Sequence, residues 1–138
     1  MQFEHTHRIA ATPARIFARY ADVANWRDWD EDLKASSIDG PFASGATGVV
    51  EPKSGPKSRV RFLDVQPDRG FAVECGLPLC TMRFEYALQP TGGGTLITHR
   101  VVFRGALGWF FGRVIGSGMR ADLPKSMQRL ERVVLQMP

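Results

Sequence analysis

Tyr86 and His99 are the residues whose types and spacing best suit chemistry, and they lie on either side of a glycine-rich turn. Pairing Leu88 with Ile97 across the turn 91–94 sets the tyrosine opposite the histidine, where cross-strand Cβ atoms are about 5 Å apart. A phenol and an imidazole at that distance can orient a carbonyl or an enol, or act as general acid and base. A buried pair that satisfies its own hydrogen bonds is the simpler interpretation, and the sequence leaves both open.

The other reactive side chains favour structural interpretations. Cys75 and Cys80 could bridge across their hairpin, but in a reducing compartment two small buried hydrophobic residues are the preferred interpretation. Four acidic residues beside two tryptophans, at 28 and 30–32, are interpreted as a solvated loop in preference to a metal site. The sequence has no Walker loop, Rossmann fingerprint or Gly-x-Ser-x-Gly elbow. We therefore predict that the protein holds no metal and no cofactor.

The segment 106–137 is the one stretch that is long and periodic enough for a helix of about eight turns. Its large apolar residues recur at steps of three and four, which is typical of one buried helical face. Gly108, Gly112 and Gly116 form a row at four-residue steps, although each glycine costs about 1 kcal/mol of helix stability relative to alanine. We interpret this row as a surface that stays open or lets something approach closely, and we expect a kink at Pro124.

The rest of the chain is predicted to be strand and turn, apart from two short helices. Residues 3–9 alternate between polar and apolar, as a half-buried strand does. Thr12 and Pro13 then suit the N-cap and first position of a helix, and Asp22 suits the cap of a second helix that carries two tryptophans. Six further strands are separated by turns short enough to make neighbours antiparallel: 33–39, 46–52, 58–66, 70–76, 80–89 and 95–104.

Two hairpins allow the register to be predicted. The expected cross-strand pairs share the inner face of the sheet and are Cys75–Cys80, Val73–Met82, Phe71–Phe84, Tyr86–His99, Phe84–Val101 and Met82–Phe103. A slip of one residue would turn the charged residues of these strands inward, so the parity is well specified. Leu63 and Val65 break the alternation of the strand 58–66, which predicts a bulge there.

The order of elements and four local stretches carry a resemblance to a known family. The stretches are IAATPARIF at 9–17, NWRDW at 25–29, the segment 93–105 and RADLPKSM at 120–127. Together they resemble the START-like or SRPBCC superfamily, and within it the polyketide-cyclase/dehydrase-like branch, over nearly the whole chain. The resemblance implies an α+β helix-grip fold, in which a curved seven-stranded antiparallel sheet wraps a long C-terminal helix in a single ligand-binding domain over 1–138.

The resemblance also implies that the first strand pairs with the last. His5 and His7 would then share a surface with His99, and three histidines can in principle bind zinc. The spacing is no known ligand pattern and no carboxylate partner is evident, so zinc stays a minor alternative.

Members of this superfamily enclose a hydrophobic cavity that binds lipids, polyketides, hormones or quinones. The residues predicted to line such a cavity are mostly aromatic or methionine, as in apolar ligand sites, although a packed core is the common role of each one alone. They are Trp26, Trp29, Phe62, Phe71, Val73, Met82, Phe84, Val101, Phe103, Phe111, Gly112, Ile115 and Met119, with Tyr86 and His99 as catalytic candidates.

The primary hypothesis is a protein that binds a lipid-like, polyketide-like or aromatic molecule between the sheet and the C-terminal helix. The first alternative is a polyketide cyclase, aromatase or dehydratase that uses Tyr86 and His99. The second is a protein-interaction or chaperone-type module that works through the outer face of the sheet or the basic face of the helix.

Composition limits the partners. The net charge of +4 is mild and the basic residues are scattered, which argues against nucleic acid because phosphate binding needs a clustered footprint. We expect a cytoplasmic protein, since the sequence has neither a secretory signal nor an uninterrupted apolar run of about 18 residues. Trp109 and Phe110 are expected to be exposed, and they could form a homodimer contact.

Overall fold

The computed structural model describes residues 1–136 and has a seven-stranded antiparallel sheet of order β1-β7-β6-β5-β4-β3-β2. The strands are β1 Gln2–Ile9, β2 Leu33–Asp39, β3 Thr47–Pro52, β4 Ser58–Gln66, β5 Gly70–Leu77, β6 Cys80–Thr91 and β7 Gly94–Arg104. The helices are α1 Pro13–Ala21, a 3₁₀ helix Val23–Asp28, α2 Gly108–Val114 and α3 Gly116–Leu135. The helix-grip architecture is confirmed, with two short helices after β1 and a long helix at the end of the chain.

The short helices form where the sequence predicts them. Thr12 caps α1, its hydroxyl accepting a hydrogen bond from the backbone N–H of Arg15 at 3.3 Å, and Pro13 occupies the first helical position. Asp22 makes no capping hydrogen bond to the backbone of the 3₁₀ helix, because its carboxylate accepts from the side-chain amide of Asn25 instead. Both elements direct buried aromatic side chains, Trp26 among them, onto the sheet.

The register of the β6–β7 hairpin is confirmed, including Tyr86 opposite His99. The register predicted for β5–β6 is wrong by two residues, because Cys75 pairs with Met82 and not with Cys80. The turn between these strands is shorter than expected, and Leu79 closes it with a positive φ of 52°. A shift of two residues keeps every side chain on its predicted face, so the inner and outer faces are unchanged.

Two local predictions on the strands are confirmed. β4 has a register shift between Leu63 and Gln66, where Asp64 has a positive φ of 50°, so the expected bulge is present. Cys75 and Cys80 are both buried free thiols, and burial raises the pKa of Cys75 to about 11. A thiol with so high a pKa is packing material and not a nucleophile at neutral pH.

The C-terminal helix is interrupted earlier than predicted. The break lies at Ile115, between α2 and α3, and α3 continues through Pro124. Proline removes a single backbone donor, and α3 buries Met127, Leu130 and Val134 beyond it. Residue 137, which the predicted helix included, lies outside the described residues.

The glycine row is a place of close approach, as one of the two interpretations expected, and the protein itself makes that approach. A Cβ on Gly108 would lie 2.9 Å from the carbonyl oxygen of Phe103, and a Cβ on Gly112 would collide with the side chain of Met1. A Cβ on Gly116 would lie 3.1 Å from the ring of Phe3 and 3.4 Å from the ring of Phe103. The row therefore lets the helices pack closely on β1 and β7. The space that remains beside Gly112 and Gly116 is a pocket of about 240 Å³ that Met1, Phe3, Arg113, Ser117 and Arg120 also line.

Replacing Gly116 with leucine is accordingly expected to lower the free energy of unfolding by about 1–3 kcal/mol, because the new side chain overpacks the two phenylalanine rings. Gly118→Leu is the matched control on the same helix, where a Cβ meets nothing within 4 Å. That substitution should raise stability by about 1 kcal/mol through helix propensity alone. Urea unfolding followed by circular dichroism measures both, and equal stabilities would restore the open-surface interpretation.

Candidate ligand-binding site

An aromatic cluster fills the space between the short helices and the sheet. Phe71 stacks on Tyr86 with ring centroids 4.5 Å apart and planes 9° apart. Tyr20 meets Phe71 edge-on at 5.3 Å, and Trp26 lies 5.9 Å from Phe62 and 6.0 Å from Phe71. These rings are all less than about a tenth exposed, and their offset and edge-to-face arrangements are the favourable ones for aromatic pairs.

His99 forms its hydrogen bond with a residue that the sequence analysis did not connect to it. Its Nε2 lies 2.8 Å from the hydroxyl of Tyr20 on α1. Its predicted neighbour Tyr86 is in place, but the two rings meet edge-on with centroids 4.7 Å apart. The signal for Tyr20 was present, because it lies on the apolar face of α1 and a buried tyrosine hydroxyl normally finds a partner.

Burial keeps this group of residues uncharged. Loss of solvation lowers the pKa of His99 to about 3, and nearby His5 and His7 add to the effect. Loss of solvation also raises the pKa of Tyr86 well above its usual value, and the negative charges of Asp30 and Asp32 add to this. At neutral pH the pair is therefore a neutral imidazole beside a neutral phenol, which suits hydrogen bonding better than proton transfer.

A small cavity of about 30 Å³ lies beside this pair, beneath α3. Its volume accommodates about one or two water molecules. The side chains that line it come from the sheet, from α3 and from the segment after the 3₁₀ helix: Trp29, Asp30, Asp32, Phe84, Tyr86, His99, Arg100, Val101, Met119, Leu123 and Ser126.

One of the residues that line the cavity has a buried polar group without a partner in the described part of the chain. Trp29 is 1% exposed, and its indole Nε1 is buried without a hydrogen-bond partner among residues 1–136. The indole of Trp26 contrasts with it, because its Nε1 donates to the carbonyl oxygen of Tyr20 at 2.8 Å. A buried donor without an acceptor costs about 1–3 kcal/mol, so the cavity favours an acceptor from outside the chain.

Carboxyl groups edge the cavity. Burial raises the pKa of Asp30 to about 6. Burial, a hydrogen bond with the side chain of Asp122 and neighbouring negative charge raise the pKa of Asp32 to about 7. The interpretation of 28 and 30–32 as a solvated loop therefore holds for Asp28, which is exposed, but only in part for Asp30 and Asp32, which are half-buried and line the cavity.

Backbone hydrogen bonds hold this acidic segment against the body of the protein. The N–H of Asp30 donates to the carbonyl of Trp26 at 2.8 Å, and the N–H of Glu31 donates to the hydroxyl of Ser126 on α3 at 2.9 Å. Arg129 pairs with Glu31 at 3.1 Å. The segment is thus fixed from two sides, with Asp30 and Asp32 at the cavity and Glu31 paired outside it.

Half-buried apolar side chains continue from the cavity along α2 and α3. They pack against the core while keeping part of their surface exposed, and we call them the apolar seam: Phe84, Leu107, Phe111, Ile115, Met119 and Leu123. Met119 and Leu123 belong to both the cavity and the seam.

A family model matches residues 1–135, and its description is polyketide cyclase / dehydrase and lipid transport. The chain belongs to this family. The resemblance found in the sequence is thereby confirmed for the branch as well as for the fold. No curated protein matches the sequence.

Solved structures share the fold of this family member at low sequence identity. Protein TTHA0849 from Thermus thermophilus is similar with a TM-score of 0.76 and 12% identity, covering 98% of this chain and 97% of its own. Protein MLL2253 from Mesorhizobium loti has a TM-score of 0.75 and 16% identity, covering 100% and 99%. Norcoclaurine synthase from Thalictrum flavum, solved in complex with dopamine and hydroxybenzaldehyde, has a TM-score of 0.73 and 14% identity, covering 100% and 88%. At these identities the likeness shows the fold alone.

The structure of this polyketide cyclase / dehydrase and lipid transport family member separates the predicted site residues into three groups. Six lie at the cavity: Trp29, Phe84, Tyr86, His99, Val101 and Met119. Phe111 and Ile115 lie further along the seam, and the others are packed away from the cavity: Trp26, Phe62, Phe71, Val73, Met82, Phe103 and Gly112. Five further residues line the cavity and were not predicted to do so: Asp30, Asp32, Arg100, Leu123 and Ser126. Tyr20 and Asp122 were missed as the partners of His99 and Asp32.

The three histidines are not grouped in this family member as a zinc site needs. His5 faces His99 across the β1–β7 pair but is exposed, whereas the Nε2 of His7 lies 2.9 Å from Glu131 on α3. Residues 1–136 contain no group of three His, Cys, Asp or Glu side chains arranged to hold a metal ion. Within the same residues no helix has both the length and the apolar character needed to cross a membrane.

Proposed function

We propose that this protein binds a hydrophobic small molecule, lipid-like, polyketide-like or aromatic, between the concave sheet and α3. The whole chain, 1–138, would act as one ligand-binding domain in a cytoplasmic protein. The observation that carries the proposal is a cavity lined both by polar residues, among them Trp29 with its unpartnered indole N–H, Tyr86 and His99, and by Met119 and Leu123 of the half-buried apolar seam. Polar groups that fix orientation, beside apolar surface that supplies affinity, are what such sites combine.

The ligand must widen the cavity to enter it. Pockets for small molecules measure about 300–1,000 Å³, and the closed cavity measures about 30 Å³. Met119 and Leu123 cover it from α3 and are only half-buried, and methionine rearranges readily because its side chain is flexible. We therefore propose that α3 and the apolar seam move away from β6 and β7 on binding.

Filling the cavity from α3 should weaken binding. Met119→Trp places a larger ring where the ligand would lie, and it should lower the affinity for anilinonaphthalene sulfonate, an apolar fluorescent probe, at least about tenfold. The measurement is the increase in probe fluorescence as protein is titrated.

Gln128→Trp is the matched control, because Gln128 is exposed on the same helix. The control should bind the probe as tightly as the unmodified protein. Equal affinity of all three proteins would place the probe elsewhere, and no binding by the unmodified protein would count against an internal site. Native mass spectrometry of protein from its own host then identifies the class of any retained compound.

An enzyme that cyclises or dehydrates a polyketide-like substrate is the second candidate. It is favoured by the family description and by the confirmed juxtaposition of Tyr86 and His99. With a pKa of about 3, His99 would orient a carbonyl at neutral pH in preference to removing a proton. The test is turnover of a β-polyketone by the protein, by His99→Ala and by Tyr86→Phe; unchanged turnover in the variants would leave both residues as structure.

A further inference from the structure

An exposed apolar face surrounds the start of α2. Trp109, Phe110 and Val114 are 60%, 43% and 63% exposed, and Leu79 in the β5–β6 turn is 70% exposed. The turn and the helix are adjacent, because the backbone N–H of Leu107 donates to the carbonyl of Leu79 at 3.0 Å. We call Leu79, Trp109, Phe110 and Val114 the docking face. Two segments that are separate in sequence thus expose large apolar side chains to solvent close to each other.

Leu79 adopts a conformation that costs free energy without gaining burial inside the chain. Its φ of 52° lies in the left-handed region, which costs an L-residue about 1 kcal/mol or more. Glycine or asparagine adopts this conformation more readily in turns. The apolar side chain of Leu79 is thus left in solvent at a position that does not favour leucine.

The charges around the docking face are all positive. From Tyr86 to Ala121 the sequence contains no Asp or Glu, whereas Arg104, Arg113 and Arg120 are exposed in this stretch. Arg104 and Arg113 form no ion pair with residues 1–136, and the guanidinium of Arg120 lies 5.4 Å from the ring centroid of Phe3. The face therefore suits an anionic surface with an apolar layer beneath it.

We propose that the docking face binds the surface of an anionic lipid membrane. Aromatic rings and leucine that enter the interface, flanked by arginines that meet lipid phosphates, are the chemistry of membrane-surface helices. A second copy of the chain fits less well, because a twofold contact through this face would bring Arg104 and Arg113 of both copies together without an acidic partner. The sheet's outer face fits no such role, because Arg83 there is already paired with Asp64, Glu74 and Glu85.

The position of the docking face next to the apolar seam indicates where the ligand comes from. This step rests on the proposed function. The docking face adjoins the apolar seam, because the ring of Phe110 meets the ring of Phe111 edge-on with centroids 5.3 Å apart. Phe111 and Leu107, which comes just before α2, both belong to the seam. A lipid-like molecule that leaves the bilayer under α2 would pass along the seam towards the cavity without crossing water. The class of ligand inferred from this arrangement is a membrane lipid or a molecule dissolved in the bilayer.

Vesicle binding by the full chain tests the proposal. The protein should co-sediment with vesicles of phosphatidylcholine and phosphatidylglycerol, and much less with vesicles of phosphatidylcholine alone. Trp109→Ser combined with Phe110→Ser should lower the partition coefficient at least about tenfold, and Arg113→Gln should lower it about fivefold. Leu135→Ser removes an exposed apolar side chain at the far end of α3 and should leave binding unchanged.

Tryptophan emission gives an independent measurement. Trp26 and Trp29 are 2% and 1% exposed, so a blue shift on addition of anionic vesicles reports on Trp109. Failure of the unmodified protein to bind these vesicles, or equal binding by the double variant, would overturn the proposal. A dimer in sedimentation equilibrium that the double variant abolishes, without vesicle binding, would assign the face to self-association.

The same variants distinguish this proposal from the proposed function. The double variant should bind the fluorescent probe as tightly as the unmodified protein, because neither residue lines the cavity. Vesicle binding without any internal probe binding would retain the docking face and contradict the ligand site. Probe binding without vesicle binding would retain the ligand site and contradict the docking face.

Discussion

Phe71→Ala is expected to lower the free energy of unfolding by about 3–5 kcal/mol, the largest effect of any substitution considered for this protein. The ring is 3% exposed and stacks on Tyr86 at 4.5 Å. It also meets Phe42 edge-on at 5.0 Å and Tyr20 at 5.3 Å. Alanine would leave a cavity at the centre of the aromatic cluster, which neighbours held by other contacts cannot fill. Urea unfolding monitored by far-ultraviolet circular dichroism measures the loss.

The substitution separates two roles that the sequence could not distinguish for Phe71, a wall of the ligand cavity or part of a packed core. Phe110→Ala is the matched control, because that ring is 43% exposed and its loss should change stability by about 0.5 kcal/mol or less. A cost below about 1 kcal/mol for Phe71→Ala, with weakened probe binding, would return the residue to the ligand site.

The strands could be predicted from the sequence because alternation and turn residues are local signals. The faces of β5, β6 and β7 were assigned correctly even though Cys75 was paired with the wrong residue, since an even shift preserves the parity. The length of the turn at Leu79 could not be predicted, because leucine rarely adopts a positive φ and is therefore not a turn signal.

The glycine row shows where sequence reasoning about the site failed. Glycines spaced by four residues indicate a close approach to a helix, but the spacing does not say whether a ligand or the protein itself approaches. Gly112 and Gly116 are approached by Met1, Phe3 and Phe103, which are remote in sequence. Only tertiary structure supplies that information.

The polar part of the site was missed for the same reason. Tyr20 reaches His99 across 79 positions of sequence, and Asp122 meets Asp32 from the other end of the chain. Taken alone, Tyr20 is explained by the buried face of α1, and Asp122 is explained as a polar residue on α3. Their joint role arises only when α1, α3 and the segment 30–32 meet.

Asp32→Asn is expected to make the protein more stable at about pH 8, by about 2 kcal/mol after allowance for partial exposure. Burial, the hydrogen bond with Asp122 and nearby carboxylates raise the pKa of Asp32 from 3.8 to about 7, so the folded state retains a proton that the unfolded chain has released. The stability that this proton contributes is complete below about pH 4 and is lost as the pH rises through about 7. Asparagine keeps a hydrogen-bond donor for Asp122 and carries no charge, so the advantage of the variant should grow across that interval and then level off.

The difference between variant and unmodified protein is the informative quantity, because His99 acts in the opposite direction. Its pKa falls from 6.5 to about 3, so its contribution to stability rises with pH over much of the same interval and is complete above about 6.5. Thermal or urea unfolding at several pH values isolates Asp32 by subtraction. Asp68→Asn is the matched control, since Asp68 lies in an exposed turn where asparagine also tolerates its φ of 64°. A difference between Asp32→Asn and the unmodified protein that does not vary with pH would mean that this carboxyl group titrates as it does in water, and that the acidic edge of the cavity is solvated after all.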